Sequence, residues 1–263
     1  MIGEIIRKFH LRFLSKKEFA KYNYFLYDLA LKGLGVGNCG SYSGEEWLAN
    51  FLNKNYDIKV IFDVGANIGE YAAMFVDKNK EIYCFEPHPY TFQRLNDFVL
   101  AHKNIKAFNV GLSDKDGKNI LYDHINRSGT TNASLYKEII TDLRNKEVEE
   151  FEIKLMTLDS FVKENEIKRL DMIKIDVEGN EMRVLKGAKK CISDLNIKVI
   201  QFEFDEFNVI SRSFFKDYSE ELKEYNFYRL LPFGLLPLSS YIPWHDEIFK
   251  YQNIVAIKKN ITP

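Results

Sequence analysis

From residue 58 to about residue 204 the chain alternates short runs of β-branched and aromatic residues with stretches of helical periodicity. That alternation requires a mostly parallel sheet covered by helices on both faces, because parallel strands are joined by crossovers and are buried on both sides. The runs "IKVIFDV", "EIYCFEP", "IKAFNVGL", "DMIKIDV" and "IKVIQFEF" read as strands. Helices are expected over 68–76, 90–101 and 181–192. Two later runs, "NFYRLLP" and "NIVAIKK", are close enough in sequence to pair antiparallel at a sheet edge. A length of 263 residues suits one such α/β domain. We place it at 58–263, preceded by a helical extension and linker at 1–57.

Residues 2–32 read as one or two amphipathic helices in which Phe9, Phe13, Phe19, Tyr24, Phe25 and Leu29 supply large apolar groups. A packing face or a homo-oligomer contact is the favoured role, and a basic membrane-surface helix is the alternative. The following "GLGVGNCGSYSGEEW" has no strand before it, so it reads as a linker, with Ser43 capping a helix that begins near Glu45. The 37 Lys and Arg balance 38 Asp and Glu, which removes the electrostatic basis for nucleic-acid binding. Cys39, Cys84 and Cys191 are scattered and odd in number, which fits neither a disulfide framework nor a zinc site. No uninterrupted apolar run suits a signal peptide or a membrane span. A cytoplasmic protein without stable membrane insertion is the expectation.

In "DVGANIG" the spacing is Asp63-x-Gly65-x-Asn67-x-Gly69, directly after a strand and opening a helix. Gly65 and Asn67 tolerate positive φ, so the backbone turns sharply and approaches a ligand closely. The GxGxxG spacing of a dinucleotide fold is absent, which argues against an NAD-dependent sugar oxidoreductase. Glu86, at the end of the next strand, lies 23 positions after Asp63. At that distance an α/β nucleotide site sets a carboxylate against a ribose diol. Ser113 and Asp114 close the third strand, near where an adenine ring would lie.

The segment "MIKIDVEGNEMRVLKGA", together with "DVGANIG", "CFEPHP" and "NVGLSD", resembles the FkbM family of methyltransferases over roughly residues 58–205. The resemblance implies a class I methyltransferase, Rossmann-like fold and S-adenosyl-methionine as cofactor. It further implies O-methylation of a sugar, a nucleotide-activated sugar or heptose for a surface polysaccharide being the first choice. A macrolide-like secondary metabolite is the alternative acceptor. By the same resemblance Asp63, Gly65, Asn67, Gly69, Glu86, Ser113 and Asp114 bind the cofactor, while Asp176 and Glu178 face the transfer site. "NRSGTTNASLY", with Thr130 and Thr131, stands where the family has a serine-rich loop over the pocket.

A neutral sugar hydroxyl needs a base to take its proton as the new bond forms. The candidates are Asp176, Glu178, Glu203 and His245, with Asp176 first by its place at a strand end. Asp176 and Glu203 near a diol would also suit Mg²⁺, although hydrogen bonding without a metal is the preferred reading. The aromatic and proline-rich "LPFGLLPLSSYIPWHDE", with Trp244, is expected to wall the acceptor pocket beside Glu203.

Overall fold

The computed structural model describes residues 2–125, 129, 133–238 and 240–261. Eleven strands lie among them: β1 (Val60–Val64), β2 (Glu81–Phe85), β3 (Ile105–Phe108), β4 (Gly111–Leu112), β5 (Gly117–His124), β6 (Val148–Met156), β7 (Met172–Ile175), β8 (Val199–Phe204), β9 (Tyr225–Leu231), β10 (Gly234–Leu238) and β11 (Gln252–Lys258). Eight form one sheet in the order β10-β9-β11-β8-β7-β1-β2-β3. From β3 to β8 the pairings are parallel, whereas β11 runs antiparallel to both β8 and β9. The antiparallel edge expected from "NFYRLLP" and "NIVAIKK" is present, with β10 added outside it. The chain proceeds outward from β1 on one side and resumes at β7 on the other. Strand order therefore reverses between β1 and β7, the position at which open α/β sheets bind ligands.

Alternate residues of each strand feed two cores. Phe62, Phe85, Ile173, Ile200 and Phe202 pack on one face with Phe161 and Leu185. Ile61, Ile82, Met172 and Val199 pack on the other with Leu48, Leu52 and Leu95. Leu48 and Leu52 come from the helix Glu45–Asn55, so a segment preceding β1 covers the second face. Gly44, with φ 85°, stands at the start of that helix where Ser43 was expected, and the Ser43 hydroxyl accepts only the Glu45 N–H at 3.4 Å.

Four further differences are local. The run "IKAFNVGL" divides into β3 and β4 because Asn109 turns to donate its side-chain amide to the Glu86 and Pro87 carbonyls. β4 then joins β5 and β6 in a separate three-stranded sheet, absent from the sequence reading. The helix expected over 181–192 breaks into Glu181–Lys186 and Lys189–Asp194. A Cβ at Gly187 would lie 2.0 Å from the Ser113 carbonyl oxygen, so the backbones meet there and the helix cannot pass. The expected 68–76 helix is a single turn, Glu70–Ala73.

Leu52 is fully buried in the core it shares with β1 and β2. Leu52→Ala is expected to cost about 2–5 kcal/mol, read in urea unfolding as one cooperative transition at lower denaturant. A separate early transition, with the main one unmoved, would instead mark residues 1–57 as an independently folding unit.

Candidate active site

A cleft of about 550 Å³ opens at the carboxyl ends of β1, β2, β7 and β8. Its floor is the turn after β1. Gly65 has φ 80°, and the Gly65 and Ala66 N–H groups both donate to the Phe85 carbonyl at 3.0 Å. A Cβ on Gly65 would lie 1.7 Å from the Asp176 carbonyl oxygen. Only glycine therefore lets the turn after β1 rest against the turn after β7. Asn67, at φ 48°, donates its N–H to Glu86 Oε2 at 3.0 Å, and the His88 N–H donates to Glu86 Oε1 at 2.8 Å. Gly69 precedes the short helix and lies against the Phe98 ring behind the cleft. Burial pushes the Glu86 carboxyl up to about 7, with the two backbone donors limiting the rise.

Lys174 is the residue that the sequence reading overlooked. It projects from β7 into the buried face and is 6% exposed. Its Nζ lies 3.0 Å from Asp176 Oδ2 and 3.7 Å from Asp63 Oδ1, and 5.3 Å above the Tyr71 ring. Burial alone would lower the ammonium, but Asp176, Asp63 and Glu45 raise it further than burial lowers it, so Lys174 stays charged. Asp63 does not reach the cleft. It is fully buried, paired in register with Lys174, and burial lifts it to about 6 against the pull of that ammonium.

Asp176, Glu178 and Glu203 converge on the cleft and each offers a carboxyl oxygen within 4.8 Å of the others. Burial acts to raise all three. For Asp176 the neighbouring Lys174 charge, with hydrogen bonds from Glu203 and Lys174, outweighs burial and holds it below the ordinary carboxylate value. Glu203 and Glu178 are pushed well above theirs, by burial first and by the Asp176 charge next, with Arg144 offsetting only part of the rise at Glu178. Burial and charge thus push the three acids apart, Asp176 downward and Glu178 and Glu203 upward. The same three oxygens are the residues here that would hold a cation. Asp205, beside them, rises to about 8 through burial. Glu181 braces the turn from behind, its Oε1 accepting the Val177 and Gly179 N–H groups at 3.0 and 3.1 Å.

The remaining expected residues divide. Ser113 is buried and donates to Asp114 Oδ1 at 3.2 Å, and neither lines the cleft. Asn180 stands in front of them. Its amide donates to the Leu112 carbonyl at 3.1 Å, while its Oδ1 is buried without a hydrogen-bond partner. Thr130 and Thr131 lie outside the described residues, next to Gly129, which does line the cleft. His245 and Trp244 sit elsewhere, on the short helix Pro243–Asp246. There His245 Nδ1 is 2.7 Å from Asp246 Oδ1 and Trp244 is 86% exposed. Asp246 ties this loop to itself by accepting the Ile242 N–H, so the aromatic segment packs away from the cleft rather than walling it. Arg94, Arg144 and Tyr251 line it instead.

The sheet order, the antiparallel edge and the ligand-sized cleft at the switch point define a class I methyltransferase fold. Residues 63–228 match the family model described as the Methyltransferase FkbM domain, and the chain belongs to that family. Hexuronic acid methyltransferase AglP of Haloferax volcanii is 30% identical over 145 residues, 54% of this chain and 55% of AglP. Methyltransferase 1 of Beauveria bassiana is 29% identical over 160 residues, 52% of this chain and 64% of that protein. The 2-O-methyltransferase NoeI of Sinorhizobium fredii is 26% identical over 145 residues, 51% of this chain and 59% of NoeI. The chain thus spans 55%, 64% and 59% of the length of these relatives.

Removing Lys174 would leave Asp63 and Asp176 without their cation. Lys174→Met is therefore expected to cost on the order of 3–5 kcal/mol in urea unfolding at pH 8. Adding Asp63→Asn should recover a large part of that loss. A Lys174→Met protein as stable as the parent would show that the ammonium is not the counter-charge of the two acids.

Proposed function

We propose that the protein is an O-methyltransferase that moves a methyl group from S-adenosyl-methionine to a hydroxyl of a sugar, a nucleotide-activated sugar or heptose for bacterial surface polysaccharide. The observation that carries this reading is the convergence on one cleft of Glu86, at the end of β2, with the Asp176, Glu178 and Glu203 cluster at the ends of β7 and β8. The relatives named for hexuronic acid and 2-O-methylation support a sugar acceptor. Arg94 and Arg144 on the same cleft suit an acceptor that carries phosphate or carboxylate groups.

The residues present fit the cofactor. Each Glu86 oxygen accepts one backbone N–H and retains a lone pair for one hydroxyl of a ribose diol. The unpartnered Asn180 Oδ1 is a buried acceptor suited to an adenine amine, the role that Ser113 and Asp114 were expected to fill. Bound there, S-adenosyl-methionine supplies a methyl group on a sulfonium, an electrophile that needs no further activation.

The chain's own work is to orient the acceptor and remove its proton. Asp176, ionised and 38% exposed to the cleft, accepts the hydroxyl hydrogen bond and points the oxygen lone pair inward. A carboxylate of low basicity suffices, because the alcohol proton becomes strongly acidic as its oxygen forms a third bond, to the methyl carbon, and takes on oxonium character. Glu203, raised by burial and by the Asp176 charge, hydrogen-bonds Asp176, while Glu178, partly open to the cleft, faces a neighbouring hydroxyl. Lys174 remains charged throughout and stabilises Asp176 in its ionised form.

Asp176→Asn is expected to leave S-adenosyl-homocysteine affinity within a factor of about two while lowering turnover of a sugar acceptor by roughly 10²–10⁴-fold. Unchanged turnover would remove Asp176 from the role of base. Turnover should persist after EDTA treatment, and a loss reversed by Mg²⁺ would convert the three-carboxyl cluster into a cation site.

The cofactor diol needs Glu86 ionised, and that group titrates near 7. Calorimetric affinity for S-adenosyl-homocysteine is therefore expected to be full at pH 8 and to weaken as pH falls through 7, approaching tenfold per pH unit. Glu86→Gln should bind more weakly by about 1–3 kcal/mol and lose this pH dependence. A parental affinity that is flat from pH 8 to 6 would exclude Glu86 as the diol acceptor.

A further inference from the structure

The N-terminal helices leave a large apolar surface that the domain does not cover. In Ile2–Phe9, helical spacing puts Ile5, Ile6 and Phe9 on one face and Glu4, Arg7 and Lys8 on the opposite one. Ile5, Ile6 and Phe9 are 57–63% exposed, and Leu11 and Phe13 extend the apolar patch. The next helix, Ala20–Gly33, buries only Leu31 and exposes Tyr24, Phe25 and Tyr27. Its far end is fastened to the domain. Lys250 Nζ reaches Asp28 Oδ1 at 2.6 Å, and the Gly37 N–H donates to the carbonyl of Tyr251, a residue of the cleft wall.

Charge decides what would cover this surface. Residues 2–33 carry seven Lys and Arg against three Asp and Glu, whereas the rest of the chain carries thirty against thirty-five. Two copies meeting face to face through this segment would bring like charges together. An anionic surface would be complementary to it. No helix among the described residues is long and apolar enough to cross a membrane, so the segment has the make-up of a helix that lies on one. Tyrosines and phenylalanines interleaved with lysines and arginines are the side chains that settle at the level of lipid headgroups.

We propose that residues 2–30 dock on the surface of an anionic phospholipid bilayer. Ile5, Ile6 and Phe9 enter the acyl boundary, and Arg7, Lys8, Arg12, Lys16 and Lys17 meet the headgroups. The fastening at Asp28 and Gly37 then holds the cleft close to the bilayer.

The test is co-sedimentation of the full chain with vesicles of phosphatidylcholine alone and of phosphatidylcholine mixed with phosphatidylglycerol. Binding to the mixed vesicles should exceed binding to the neutral ones by about tenfold and weaken as salt is raised. Ile6→Asp with Phe9→Asp should abolish it, and Lys16→Glu with Lys17→Glu should reduce it. Unchanged circular dichroism and S-adenosyl-homocysteine affinity would show that both variants fold. The proposal is overturned by equal or absent binding to the two vesicle types, or by binding that survives the Ile6 and Phe9 changes. It is also overturned if light scattering finds a dimer that those changes dissociate, which would make a second copy the occupant.

Discussion

The ammonium of Lys174 is almost wholly buried, and the arrangement of the site follows from that confinement. It lies in the middle of a parallel sheet with Asp63 on the neighbouring strand and Asp176 two residues ahead. A buried cation requires compensating charge close by, and a buried carboxylate requires the same. Lys174 lies between one acid buried beneath the floor and one on the rim, and so joins the interior of the sheet to the cleft. Around it, Tyr71 donates to Gln201, and Gln201 donates to Glu45 and Asn253. Together these groups place a polar layer directly beneath the cleft in an otherwise apolar core.

This confinement also sorts the acids by protonation. Asp176, Glu178 and Glu203 share one small volume, and three charges cannot coexist there without cost. Lys174 is closest to Asp176, so Asp176 is held toward its charged form while burial and the Asp176 charge push its neighbours toward their protonated forms. The sequence leaves four candidates for a base, Asp176, Glu178, Glu203 and His245. On the proposed function the side on which the cation sits favours Asp176, because His245 is bound to Asp246 away from the cleft and burial raises the two glutamic acids.

Much of this frame was legible in the sequence because its signals are local. The turn at Gly65 and Asn67, the acid at Glu86 and the parallel strands follow from residue order and period, and they stand where expected. What escaped depends on contacts between distant segments. The β5 and β6 hairpin was readable in principle, since Phe151, Ile153 and Leu155 alternate with Glu152 and Lys154, but the charged residues between them look like a surface loop. Lys174 was visible as a lysine inside the apolar run "MIKIDV", and the register that sets it beside Asp63 was not. Trp244 and His245 were assigned to the pocket on composition. Composition does not say that Asp246 would fold their loop onto itself. Asn180 escaped because its importance lies in an oxygen left without a partner, a property of the folded neighbourhood.

The approach of Gly65 to the Asp176 carbonyl joins these observations into one mechanical unit. Asn67, two residues beyond Gly65, is held by Glu86, and Asp176 is held by Lys174. The backbones of the two turns rest on each other, so Glu86 and Asp176, proposed to meet the cofactor diol and the acceptor, stand on turns whose separation is set by strand packing. Methyl transfer rewards that kind of fixity, because its acceleration comes largely from holding the oxygen in line with the departing group. Glu181 adds to it by clamping the Val177 and Gly179 N–H groups beneath Glu178. The side of the cleft proposed to face the acceptor, by contrast, is made of residues from several later segments, among them Arg144, Glu206, Phe207 and Tyr251. Those positions are free of the constraint at Gly65, so the identity of the acceptor can vary there without disturbing the geometry of transfer.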